Sequence, residues 1–95
     1  MAVTVIVTFT AKPENLVAFT DIMHSVKATL PSVPGCKAVR VHQGTDDPCV
    51  FTLVETWVSE DRHREHIAGL QSDGSWSQVA VHLACEPESR YYAEL

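Results

Sequence analysis

Five histidines, three cysteines, two tryptophans and two tyrosines are the side chains of this 95-residue sequence best suited to chemistry. Their densest grouping is Glu55-Thr56-Trp57, followed closely by His63 and His66. Glu55 and Trp57 are two positions apart, so a β-strand puts both on one face. His63 and His66 are three apart, so a helix puts both rings on one face. A neutral imidazole near pH 7 accepts a proton, and an indole N–H can donate to an oxyanion or a peroxide. A carboxylate on an inward face needs a partner, which for Glu55 could be Arg40 across a hairpin or the ring of His66. Trp76, Tyr91 and Tyr92 could wall an aromatic pocket or simply pack in a core. His63 and His66 could also share a metal with His24, His42 or His82, but no third ligand is assigned by spacing, and no metal is expected. With His42, Glu55, His63, Trp76 and Tyr91 form the set of candidate pocket residues.

Alternation over Ala2–Thr10, with Val3, Val5, Val7 and Phe9 on one side, predicts a strand. Lys12-Pro13-Glu14 then opens a helix, in which Leu16, Phe19, Met23, Val26 and Leu30 recur at steps of three and four. Pro31 and the turn Val33-Pro34-Gly35 stop it. Cys36–Gln43 alternates again, and Gly44-Thr45-Asp46-Asp47-Pro48 supplies turn residues. Cys49–Val58 is a third strand, with Phe51, Leu53, Glu55 and Trp57 on one face, and it forms a hairpin with the second. Ser59 caps a helix that runs to about Leu70 and carries His63, His66, Ile67 and Leu70 on one stripe. Trp76, Val79, Ala80 and Leu83 sketch a short helix, and Arg90–Leu95 a terminal strand. The order β-α-β-β-α-β is that of an α+β, ferredoxin-like split βαβ domain, with an antiparallel sheet and helices on one face.

One such domain accounts for residues 1–95, with room for one core and little for a deep closed pocket. Seven basic against twelve acidic side chains leave a net charge of −5. Without a basic patch there is no electrostatic drive toward phosphates, so nucleic acid is not an expected partner. No stretch has the roughly 20 apolar residues of a membrane span, and Ala2–Phe9 lacks the flanks of a signal peptide. Cys36, Cys49 and Cys85 are odd in number and share no CxxC spacing, which fits reduced thiols, buried as filler, in the cytoplasm. On the outer face of the first strand, Thr4 and Ile6 are too apolar for open water, which predicts a homodimer with two sheets stacked face to face.

Three segments match a known pattern in order and spacing. Pro34-Gly35-Cys36 precedes the second strand, and Asp46-Asp47-Pro48 with Phe51 lies in the hairpin. Glu55-Thr56-Trp57-Val58-Ser59 then leads to His66 on the next helix. Together with Ala11-Lys12-Pro13 they make most of the chain resemble the antibiotic biosynthesis monooxygenase family, whose members are dimeric ferredoxin-like α+β barrels. The resemblance implies cofactor-independent oxidation of a small phenol, anthrone or quinol by dioxygen. It also implies that His66 and Trp57 are catalytic, the first as proton acceptor. His63 stands where the family more usually has an aliphatic residue. Haem-degrading relatives carry an asparagine on the first strand; here the single asparagine, Asn15, lies beyond it, so haem is not expected. The alternatives are a non-catalytic dimeric module, binding a small ligand or serving a stress response, and an isomerase-type relative.

Overall fold

Alternation over the first strand translates directly into burial. In the computed structural model, which describes residues 2–95, β1 (Val3–Thr10) buries each odd-numbered residue and leaves each even-numbered one half-exposed. Strand β3 (Val50–Trp57) does the same with Phe51, Leu53, Glu55 and Trp57. With β2 (Cys36–Gln43) and β4 (Glu88–Tyr92) they form a four-stranded antiparallel sheet in the order β2-β3-β1-β4. The two strands in the middle, buried on one face only, give the in/out pattern expected of an antiparallel sheet with one covered side.

Helix α1 (Leu16–Thr29) follows a single 3₁₀ turn at Pro13–Asn15 and covers the sheet with Phe19 and Met23, both buried. A second 3₁₀ turn, Leu30–Ser32, carries the buried Leu30. Phe19 packs its ring against Phe9 and Phe51 at 5.7 and 5.2 Å between centroids, which ties the helix to the two central strands. Gly35 follows with φ +93°, and a Cβ there would lie 2.7 Å from that of Arg62, so this turn admits only glycine where it meets the next helix. That helix, α2 (Glu60–Ser72), starts where expected: the Ser59 hydroxyl accepts the Arg62 N–H at 3.3 Å.

Two elements and one cysteine differ from the sequence reading. The last helix, α3, spans Ser75–Ala80 and stops short of Leu83, which instead bridges Ala11 beside the end of β1. The final strand is Glu88–Tyr92 and not Arg90–Leu95, because β1 offers it the register Thr4↔Tyr92 to Thr8↔Glu88. Cys85 is exposed and not buried, while Cys36 and Cys49 are half-buried. The β-α-β-β-α-β order and the ferredoxin-like arrangement are as expected. No helix among the described residues is long and apolar enough to cross a membrane.

Candidate active site

One row of the sheet organises the site. Across the four strands the register aligns Val39, Glu55, Val5 and Tyr91, and inward-pointing side chains of one row share the same helix-covered space. Glu55 and Tyr91 flank Val5, about 10 Å apart at ordinary strand spacing. Valine is short, so the space above it is open to a side chain from α2, and His63 fills it. Its Nδ1 lies 2.7 Å from the Tyr91 hydroxyl and its Nε2 4.0 Å from Glu55 Oε1. The ring also meets Trp57 and Tyr91 edge-on, each at 5.3 Å. His63 and Glu55 are each only 4% exposed.

Trp57 does not occupy the position a donor to substrate needs. It is fully buried, it does not border the cleft, and its indole N–H donates to Glu55 Oε1 at 2.8 Å. That bond is what Glu55 has in place of an ion pair with Arg40. Arg40 pairs with Val54, so it leaves the sheet on the opposite face. Nor does Glu55 orient His66: the imidazole it faces is that of His63. His66 packs on Trp57 at 5.4 Å and borders the cleft. Histidine side-chain hydrogen bonds among the described residues belong to His63 and His82, which leaves the His66 nitrogens without a protein partner.

Burial controls the protonation of this group. Desolvation pushes the Glu55 carboxyl up, partly offset by the Trp57 N–H, and pushes His66 down. His63 falls to about 4, chiefly from desolvation, then from the nearby charges of His66 and Arg64. At 4.0 Å, beyond hydrogen-bond range, and with a neutral ring, His63 and Glu55 are not an ion pair. Burial similarly lifts the phenol of Tyr91, against which the Arg64 guanidinium acts from 5.0 Å over the ring. The Cys36 thiol is raised by burial and by the charge of Glu55, which keeps it a thiol and not a thiolate.

A stability prediction follows from His63. Its folded pKa lies below the ordinary 6.5, so between those values the unfolded chain binds more protons and stability falls with acidity. Holding the ring neutral from 6.5 down to about 4 corresponds to roughly 3 kcal/mol. The melting temperature should decline between pH 6.5 and 4, and that decline should shrink in His63→Phe. An equal decline in both proteins would remove His63 as its source.

The cleft itself has a volume of about 930 Å³ and lies between the sheet and the three helices. Glu55, His63, His66 and Tyr91 meet it at the Val5 row, while Phe9, Trp76 and Leu83 line it four residues further along β1. Trp76 packs on Phe9 at 6.4 Å there. A ligand thus meets mostly apolar walls, with Glu55, His63, His66 and Tyr91 grouped on one part and Thr29, Gln71 and Glu86 elsewhere on the lining, a common make-up of a small-molecule site. Of the residues anticipated as pocket walls, Glu55, His63, Trp76 and Tyr91 border this cleft. His42 does not: it pairs with Thr52 and is exposed on the far face, as is Tyr92, 45% exposed. Arg64, which lies off the apolar stripe of α2, also borders the cleft, with its guanidinium 5.0 Å over the Tyr91 ring. Among the described residues no three His, Cys, Asp or Glu side chains gather as a metal site. Asn15 bonds His82 Nδ1 at 2.7 Å and is remote from the cleft wall.

Residues 2–71 match the family model described as antibiotic biosynthesis monooxygenase. No curated protein matches the chain. Among solved structures, a conserved protein from Methanosarcina mazei Go1 superposes with a TM-score of 0.85 at 23% identity, over 100% of this chain and 94% of its own. A protein from Nitrosomonas europaea bearing the same family description gives 0.86 at 21%, over 99% and 90%. One from Mycobacterium tuberculosis gives 0.85 at 20%, over 100% and 96%. At these identities the likeness is one of fold. The family match ends at residue 71, so Trp76 and Tyr91 come from the part of the chain it leaves out.

Proposed function

Since this chain belongs to the antibiotic biosynthesis monooxygenase family, we propose that it oxidises a small electron-rich aromatic molecule, a phenol, anthrone or quinol, with dioxygen and without flavin or metal. The observation that carries this reading is the cleft: mostly apolar walls with a cluster of polar groups beside His66, whose ring has no protein hydrogen-bond partner. A neutral His66 takes the proton of the bound phenol or anthrone, and burial keeps it neutral at physiological pH. The resulting anion passes an electron to dioxygen, and the two radicals combine as a peroxide. Loss of water from the peroxide leaves a carbonyl, so one oxygen atom enters the product and the other leaves as water. Apolar walls serve this sequence by keeping bulk water from the peroxide. Trp57 acts through others, holding Glu55 by its N–H and both histidines by its ring.

The sheet face opposite the cleft suits a second copy. Thr4, Ile6, Thr8 and Val54 are half-buried there with no helix over them, an apolar strip that stacking two sheets removes from water. The working form in this reading is a homodimer in the cytoplasm, where three unpaired thiols stay reduced.

Oxygen uptake by EDTA-treated protein against anthrones and hydroquinones, corrected for autoxidation, tests the reading. Saturable uptake is expected, from a species sedimenting at twice the chain mass. No uptake above the blank across the panel assigns the fold to a binding module instead.

A further inference from the structure

The geometry points to the Tyr91 oxygen as a hydrogen-bond acceptor that selects ligands bearing a hydroxyl over those bearing only a carbonyl or ether at the same position. This rests on the proposed function and deepens it, since oxidation of a phenol or quinol to a quinone turns its hydroxyl into a carbonyl.

The direction of the hydrogen bonds follows link by link. Glu55 Oε1 accepts the Trp57 N–H at 2.8 Å, so this oxygen is an acceptor whether or not the carboxyl holds a proton on its other oxygen. The same oxygen faces His63 Nε2 from 4.0 Å, too far for a hydrogen bond but near enough that an N–H dipole there is favoured over a lone pair, which puts the proton of the neutral imidazole on Nε2. Nδ1 is then the bare nitrogen, and in this tautomer the Tyr91 hydroxyl 2.7 Å away donates to it. A phenol has one proton. With that proton bound to His63, Tyr91 presents only lone pairs to the cleft it borders.

A substrate hydroxyl satisfies those lone pairs; a carbonyl or ether oxygen meets them acceptor to acceptor and leaves both desolvated without a partner. Reversing the Tyr91–His63 hydrogen bond would turn the Nε2 lone pair toward the Glu55 oxygen, lone pair against lone pair. The arrangement therefore holds the reduced ligand and releases the oxidised one. Arg64 over the Tyr91 ring, at 5.0 Å, and the edge-on contact with His63 keep the phenol in place.

The test uses 2-naphthol and 2-methoxynaphthalene, equal in ring system but with and without the donor, titrated into ¹⁵N-labelled protein and followed by amide chemical shifts. The wild-type chain should bind the naphthol about tenfold or more tighter, one neutral hydrogen bond's worth. Tyr91→Phe should bind the two alike, with the affinity for the ether kept. Equal affinities in the wild type overturn the inference without need of a variant, as does a preference that survives Tyr91→Phe or failure to bind either naphthalene. Oxygen uptake with an anthrone, measured on the same samples, separates the two readings. A Tyr91-dependent preference without uptake sinks the oxygenase and keeps the hydroxyl site, whereas uptake without the preference does the reverse.

Discussion

Replacing His66 with alanine should lower turnover in the oxygen-uptake reaction by about 10²- to 10⁴-fold, the range over which a positioned acid or base contributes. The reason is positional. His66 borders the cleft with both nitrogens free of protein partners, whereas His63, three residues earlier, has one nitrogen bonded to Tyr91 and the other turned to Glu55. The chain should still fold: His66 is half-buried on a helix face, and alanine is the best helix former. A pH profile adds a check that loss of packing does not reproduce. Burial pushes the His66 pKa below 6.5, so the wild-type rate should climb on an acid limb whose midpoint lies below that value, then level off. If the alanine variant turns over within a few-fold of wild type, His66 is no base.

Trp57→Ala should have the largest effect on stability, about 4 kcal/mol, within the range that truncating a buried tryptophan costs. The ring is fully buried at the end of β3, so its removal opens a cavity that strands on both sides cannot close. Glu55 also loses its donor while remaining 4% exposed, which adds the penalty of an unsatisfied buried group. For a domain of this size that loss lowers the melting temperature by roughly 15–30 °C. Trp57→Phe keeps a six-membered ring but removes the N–H with two more ring atoms, and should cost about 1–3 kcal/mol. Thermal melts of both variants, followed by circular dichroism, measure this. Equal melting of Trp57→Phe and wild type would show that the indole N–H bond to Glu55 contributes nothing.

Both variants concern the same wall of the cleft, yet their residues play different parts, and that division is not written in local spacing. Glu55 and Trp57 share a face because strand side chains alternate, and this is legible from the sequence. Which of the two meets the ligand is not, because it depends on how α2 lies across the sheet. Glu55 reaches the cleft and Trp57 stays behind it. His63 and His66 likewise share a stripe by helical period. A rotation of α2 by a fraction of a turn would exchange the ring that meets Glu55 for the one that faces the opening.

His42 makes the same point from the other direction. Its alternation with Val39 and Val41 is plain in the sequence, and it places His42 on the side away from those residues. Spacing does not say which side the helices cover. Val39 and Val41 pack against the core, so His42 belongs to the uncovered face.

Local sequence thus carries every element whose cause is local: the alternation of β1 and β3, the apolar stripe of α1, the Ser59 cap and the turn glycine ahead of β2. The order of those elements was enough for the fold, because short antiparallel connections and one covered face leave few ways to pack them. The Tyr91–His63–Glu55 row is of another kind. Tyr91 comes from a strand near the chain's end, paired beside a strand at its beginning, and a shift of one residue in that register would turn Tyr92 inward in its place. Such a register is settled by the sum of burial along both strands and by the fit of α2 above them. The chemistry of each side chain was readable one residue at a time, while their meeting over Val5 depended on the packing of the whole domain.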